Sequence, residues 1–177
     1  MEDLRYPIGK FSPQEVYSSP EIARFINRIE ALPQKLADAI HNLNEEQLNT
    51  PYRDGGWTVR QVVHHLADSH MHAYIRTKWV LTETEPVIKA YLEKFWAETP
   101  ETKTSPEISL SLLKALHTKW AILLRTVSQT DLLKFFVHPE TKKHVSLGSL
   151  MGTYAWHGEH HLAQINNLKQ RVFKSRQ

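Results

Sequence analysis

Apolar residues recur at intervals of three or four along four long segments of the chain. The first segment carries Ile22, Phe25, Ile26 and Ile29, and the third carries Leu110, Leu113, Leu116, Trp120 and Leu124. This spacing places the apolar side chains on one face of an α-helix and leaves polar residues on the other. The pattern therefore predicts four long amphipathic helices.

The first and third helices share a start signal. Ser19-Pro20-Glu21 and Ser105-Pro106-Glu107 each offer a serine N-cap, a proline for the first helical position and an acid for the first turn. Pro33 lies inside the first helical pattern, where a proline lacks the N–H that the helix needs. We therefore predict that the first helix breaks or kinks at Pro33 before QKLADAIHNL continues it.

The second and fourth helices are bounded by other signals. Asp54-Gly55-Gly56 predicts a turn, and Thr58 with Gln61 after it forms a capping-box pattern. The second helix is therefore predicted to begin at Thr58 and to reach about residue 81. The fourth helix is predicted to run from about residue 146 or 149 to residue 172.

The segments between these helices determine the expected fold. Residues 83–104 form the longest connection, in which YLEKFWAE predicts a short helix, and FFVHPETKKHVSL predicts a short hairpin around Pro139-Glu140-Thr141. No repeat or linker divides the chain. We expect an all-α fold, a four-helix bundle with one longer crossover connection and a short hairpin before the last helix. It forms a single domain over residues 1–177, of which residues 1–18 are an irregular N-terminal segment.

Composition narrows the chemistry. The 177 residues include no cysteine, which excludes disulfides, thiolate metal ligands and a cysteine nucleophile, whereas histidine occurs 11 times. The net charge of +3 is dispersed, and the locally basic KQRVFKSRQ suits a solvated helix end, so we expect no nucleic-acid partner. No signal-peptide core or long apolar run occurs, so we expect a cytoplasmic protein with no membrane partner.

Two histidines of the last helix lie on its apolar stripe. The stripe is defined by Leu147, Leu150, Tyr154, Ile165 and Leu168. Successive residues turn by about 100°, which places His157 and His161 near its centre, His160 about 100° off it and Glu159 facing away. Residues four apart are neighbours on a helix face, so the pair is suited to a metal ion. The alternative is two core histidines bonded to neighbouring groups without a metal.

A third ligand must come from another helix. The second helix offers His64, His65, His70 and His72, and the third offers His117. A helical wheel slightly favours His70 or His117, which lie at the centre of their stripes, over the flanking His64 and His65. The wheel alone leaves the choice open.

Three stretches carry a resemblance to a known family: YPIG, PYRDGGWTVRQVVHHLADSHMHAYIR and YAWHGEHHLAQI. They resemble the DinB-like superfamily and, within it, the YfiT branch of metal-dependent hydrolases, which is related to bacillithiol S-transferases. The resemblance implies a four-helix bundle, a homodimer and one divalent metal per subunit. It also implies that the metal ligands are His65, the second histidine of VVHHL, together with His157 and His161. Gln164 stands where the family motif can carry another histidine, and borders the cavity.

The implied site suggests a chemistry. A zinc ion with three protein ligands and a water is the catalytic pattern, and such an ion lowers the pKa of its water to about 7. We expect Zn²⁺, with Ni²⁺, Mn²⁺ and Fe²⁺ as alternatives. Asp68 is a candidate to orient a ligand, or else a surface residue paired with His64 or Arg60. His70, His117 and Gln164 are further pocket candidates.

Three functions are compatible with the implied site. The first is a metal-dependent hydrolase acting on a small electrophilic substrate. The second is a thiol S-transferase that joins a low-molecular-weight thiol of the bacillithiol type to electrophiles. The third is a bundle that binds a metal or ligand without catalysis. No residue is assigned as a general base or other catalytic group. The loop before the second helix offers candidates for the mouth of a pocket, namely Tyr52, Arg53, Asp54 and Trp57. The turn and the start of the second helix explain Asp54 and Trp57 equally well.

Overall fold

The computed structural model describes residues 3–173. Its regular elements in chain order are α1 (Ser19–Ile40), α2 (Glu45–Leu48), α3 (Val59–Thr82), α4 (Glu93–Trp96), α5 (Glu107–Leu124), β1 (Phe135–Val137), β2 (His144–Ser146) and α6 (Leu147–Leu168). Short 3₁₀ turns lie at Pro100–Lys103 and Asp131–Leu133, and a π-helical turn at Lys169–Phe173 follows α6. Residues 3–18 contain neither helix nor strand.

The four long helices form the predicted four-helix bundle. Helix α1 packs against α5 and α6, and α3 packs against the same two helices, so α1 and α3 occupy opposite corners. The long connection between α3 and α5 contains the predicted short helix α4, and the predicted hairpin is the antiparallel pair β1–β2. Among the helices of residues 3–173, none combines the length with the hydropathy that a membrane span needs.

Two predicted helix starts are displaced by one residue. The N-cap of α1 is Ser18 rather than Ser19, and its amide and hydroxyl both donate to Oε2 of Glu21, at 2.9 and 2.6 Å. The N-cap position of α5 is Pro106 rather than Ser105. Proline is tolerated throughout a first turn, whose N–H groups have no helical partner. A proline near the start of a helix therefore indicates the first turn but does not identify the N-cap residue.

Of the predicted break or kink at Pro33, the break is wrong, because α1 continues through this residue. The kink stays a prediction. Pro33 has no N–H to donate to the carbonyl of Ile29 one turn earlier. That carbonyl instead accepts a hydrogen bond from Nδ1 of His117 on α5, at 2.5 Å. A contact from a neighbouring helix thus replaces the bond that the proline removes, and it also fixes the orientation of a buried imidazole.

Helices α3 and α6 lie side by side and begin where their caps predict. The Gln61 amide donates to Oγ1 of Thr58 at 3.1 Å, and the Thr58 amide donates to Oε1 of Gln61 at 3.0 Å, which completes the capping box. Gly55 adopts the left-handed φ of 63° that the preceding turn needs. Ser146 caps α6 by accepting from the Ser149 amide at 3.2 Å. These two helices carry the histidines that the sequence singles out.

Candidate metal centre

Three imidazoles converge between α3 and α6. They belong to His65, His157 and His161, and one ring nitrogen of each lies within 4.8 Å of those of the other two. Nε2 of His65 is 3.3 Å from Nε2 of His157. Two nitrogens bound at roughly 2.05 Å to one tetrahedral ion lie roughly 3.3 Å apart. The separation of this pair therefore fits a shared metal ion.

The protonation of the cluster suits metal binding. Burial lowers the pKa of His65, His157 and His161 well below the ordinary histidine value. A neighbouring imidazole lowers the pKa of each ring further. All three are therefore neutral at physiological pH, and each neutral ring keeps one nitrogen lone pair for a ligand bond. Metal binding at such a site does not have to displace protons.

His70 orients His157 from the side away from the cluster. Nε2 of His70 is 3.2 Å from Nδ1 of His157. If Nε2 of His157 binds an ion, its Nδ1 carries the proton and donates to His70, which fixes the tautomer and the ring angle. His70 is fully buried and stacks on His117, with ring centroids 4.9 Å apart. The preference of the helical wheel for His70 or His117 is therefore corrected, since both lie behind the cluster.

Gln164 plays the corresponding part for His161. Its Oε1 is 2.8 Å from Nδ1 of His161, while its Nε2 donates to the Arg5 carbonyl at 3.1 Å and lies 3.0 Å from Nε2 of His160. An amide thus supplies the acceptor that fixes the His161 tautomer. His160, which the wheel places off the stripe, is nevertheless buried and stacks on Trp156 at 4.6 Å between centroids.

Asp68 adopts neither of the arrangements considered for it. His64 instead contacts the Ser109 hydroxyl at 2.8 Å, and Arg60 pairs with a glutamate of α2. Among residues 3–173, Asp68 forms no ion pair. Partial burial raises the pKa of Asp68 to about 6, with the Glu101 carboxylate as a second cause. It lies one turn after His64 and His65 without orienting either.

Two cavities reach the cluster, one at His157 and the other at His161. One, of ≈ 500 Å³, is lined by His157 together with residues of α3, the long connection and α6. The other, of ≈ 830 Å³, is lined by His161 and by the loop before α3. Tyr52, Arg53 and Trp57 line this second cavity as expected, whereas Asp54 is not among its lining residues. The Trp57 ring also covers His65, with centroids 4.5 Å apart.

Sequence reasoning missed several residues of the first cavity. Ser69 and Arg76 of α3 line it, as do Tyr91 of the long connection and Tyr154 of α6. Ser69 and Arg76 follow His65 by four and eleven residues, spacings that return to nearly the same face of a helix. That spacing was a usable signal for the two α3 residues. Tyr91 lies in an irregular segment and carries no such signal.

The chain resembles known proteins over most of its length. Residues 28–165 match the family model described as the DinB superfamily. The chain belongs to the DinB superfamily. The resemblance seen in its sequence is thereby confirmed.

Similar DinB proteins cover almost the whole chain. A protein of Bacillus cereus (strain 03BB102) is 50% identical over 97% of this chain and 99% of its own length, and one of Oceanobacillus iheyensis is 53% identical over 94% and 96%. Both are named "Putative metal-dependent hydrolase". The solved structure of YfiT from Bacillus subtilis matches with a TM-score of 0.95 at 48% identity, over 97% of this chain and 98% of that one. YfiT is described as "a probable metal-dependent hydrolase with an unusual four-helix bundle topology".

Proposed function

We propose that this DinB protein is a metal-dependent hydrolase acting on a small electrophilic molecule. His65, His157 and His161 hold one divalent ion, for which zinc is our choice. The observation that carries the proposal is the convergence of three neutral imidazoles between two cavities. The names of the similar proteins support the same function.

The residues present fit such an ion. A three-histidine donor set leaves coordination positions open, as catalytic zinc sites do. The ion would supply Lewis-acid activation of water, lowering its pKa to about 7. In the hydrolysis, the oxygen of the water forms a bond to the electrophilic carbon of the substrate, the bond to the leaving group breaks, and the proton of the water passes to the leaving group or to solvent.

The chain contributes orientation and exclusion of solvent. His70 and Gln164 hold the Nδ1 sides of His157 and His161, so the Nε2 atoms stay directed at the cluster. The indole of Trp57 covers His65 and reduces access of bulk water from the loop side. A partly enclosed site of this kind strengthens electrostatic interactions with a bound substrate.

Metal analysis of the tag-free protein tests the proposal. We expect about one zinc per chain in the wild type, and loss of most of it in His161→Ala because two histidines cannot replace three. His41→Ala removes an exposed histidine at the end of α1 and serves as the matched control, which should keep its metal. Absence of metal from the wild type, even after incubation with zinc, nickel and manganese, would contradict the proposal.

Turnover distinguishes the hydrolase from a bundle that only binds metal. The zinc-loaded protein should hydrolyse activated esters faster than His161→Ala does. If the protein holds a full complement of metal but turns over no ester or other electrophile, the hydrolase proposal is refuted and the bundle only binds metal.

One observation favours a second candidate, a thiol S-transferase. The cluster borders two cavities, one at His157 and one at His161, which together offer room for a thiol and an electrophile. The discriminating assay follows loss of an electrophile with and without an added low-molecular-weight thiol. A thioether formed only with the thiol would support the transferase, and hydrolysis without any thiol would refute it.

The homodimer implied by the resemblance is part of the proposal. Sedimentation at micromolar concentration should give twice the 20.6 kDa mass of the chain. A monomer at that concentration would refute the homodimer but would leave the proposal of a metal site unchanged.

A further inference from the structure

Arg76 is a partly buried cation without a carboxylate partner. Among residues 3–173 its guanidinium takes part in no ion pair, whereas Arg28, Arg60 and Arg125 each pair with a glutamate. Its Nε is buried without a hydrogen-bond partner. Its other nitrogens make only long contacts, Nη1 at 3.4 Å to the Tyr154 hydroxyl and Nη2 at 3.4 Å to the Lys89 carbonyl. A guanidinium in this setting has donors to spare.

Arg76 faces the cavity that reaches the metal cluster. It lines the ≈ 500 Å³ cavity together with His157. Tyr154 links the two residues, because its hydroxyl is 3.4 Å from Nη1 of Arg76 and its ring centroid is 5.6 Å from that of His157. A small molecule in this cavity can therefore place one end at the guanidinium and the other at the cluster.

Neutral hydroxyl groups line the same cavity as the guanidinium. The hydroxyls of Ser69, Tyr91 and Tyr154 belong to residues that line the same cavity. Both tyrosines carry a neutral phenol, whose hydroxyl can donate a hydrogen bond. The acidic lining residues Glu93 and Glu140 are exposed, so solvent weakens their repulsion of a bound anion. The side of the cavity that carries Arg76 is therefore suited to an anion.

We propose that Arg76 binds a carboxylate group of the substrate, so that this protein acts on small carboxylate-bearing electrophiles. The inference rests on the proposed function and specifies its substrate class. A guanidinium presents parallel N–H donors that match the two oxygens of a carboxylate, and the tyrosine hydroxyls extend that donor set. The carboxylate end is held at Arg76 while the electrophilic carbon lies at the histidine cluster.

The first test measures binding without chemistry. Glutarate is titrated into the metal-free protein by calorimetry, because a bound metal would itself attract a carboxylate. We expect Arg76→Met to weaken binding roughly 10- to 100-fold, as loss of a charge-assisted hydrogen bond does, and Arg76→Lys to weaken it less. The control Arg24→Met removes an exposed arginine of α1 and should bind glutarate as the wild type does. Thermal unfolding of each variant establishes that it is folded.

The second test uses the zinc-loaded protein and two esters. Mono-4-nitrophenyl glutarate carries a carboxylate that 4-nitrophenyl acetate lacks, and spontaneous hydrolysis is subtracted for both. The kcat/KM ratio of the first ester to the second should fall at least about tenfold in Arg76→Met and stay unchanged in Arg24→Met.

The outcomes separate this inference from the proposed function. Arg76-dependent glutarate binding without ester turnover would support the anion site and refute the hydrolase. Turnover with no preference for the glutarate ester would support the hydrolase and overturn the carboxylate proposal. A loss of glutarate binding in Arg53→Met but not in Arg76→Met would place the anion in the other cavity and also overturn it.

Discussion

Acidification should destabilise the metal-free protein, and His117 should account for a measurable share of the loss. Its side chain is fully buried on α5. Burial lowers the pKa of His117 from 6.5 to about 4, even though its hydrogen bond to the Ile29 carbonyl acts in the opposite direction. In the folded protein His117 therefore stays neutral at pH values at which it is protonated in the unfolded chain.

The sign and size of the effect follow from linkage. The contribution to stability is complete above pH 6.5 and is lost as pH falls from there to about 4. At ~1.4 kcal/mol per pH unit the whole window amounts to about 3 kcal/mol, of which about 2 kcal/mol falls between about pH 7.5 and about pH 5. A loss of this size is a large fraction of the stability of an ordinary domain.

The assay compares three proteins at the two pH values. Urea unfolding of the chelator-treated wild type, His117→Gln and His41→Gln is followed by tryptophan fluorescence. Glutamine can still donate to the Ile29 carbonyl but does not titrate, so the variant should lose about 2 kcal/mol less on acidification than the wild type does. His41→Gln removes an exposed histidine and should follow the wild type. Equal losses in His117→Gln and the wild type would refute the reasoning.

Two further predictions concern the helix that carries the histidine pair. Gly158 lies between His157 and His161, and a Cβ added there would overlap Cδ2 of Leu32, so Gly158→Ala should overpack the interface of α1 and α6 and reduce the unfolding free energy by about 1–3 kcal/mol; unchanged urea unfolding would contradict this. Gln164→Ala removes the acceptor for Nδ1 of His161 and should weaken zinc affinity roughly 10- to 100-fold in competition with a chromogenic chelator, whereas wild-type affinity would show that Gln164 does not orient its neighbour.

Local signals in the sequence were sufficient to predict the four long helices and the histidine pair of α6. The starts of α3 and α6 depend on caps within four residues of the first turn, and both caps form as predicted. His157 and His161 are neighbours because a helix returns to the same face every four residues. Such features involve only nearby residues, so they follow from the sequence without knowledge of the packing.

The choice of the third histidine depended on tertiary structure. His70 lies at the centre of the α3 stripe, but the rotation of α3 against α5 and α6 places its ring behind His157 and against His117. The flanking His65 reaches the cluster instead. The resemblance implied this choice and the helical wheel did not, because a wheel contains no information about the rotation of one helix against its neighbours.

The sequence by itself determined the amphipathic helices, the caps of α3 and α6 and the spacing of the histidine pair, because each follows from residues a few positions apart. Only the tertiary structure decided the fate of Pro33 and the setting of Arg76. The Ile29 carbonyl that Pro33 leaves free finds His117 on another helix. Within residues 3–173 Arg76 has no carboxylate partner, and it lies in a cavity formed by α3, α6 and the long connection. Both outcomes depend on groups far apart in the chain, which become neighbours only when the bundle packs.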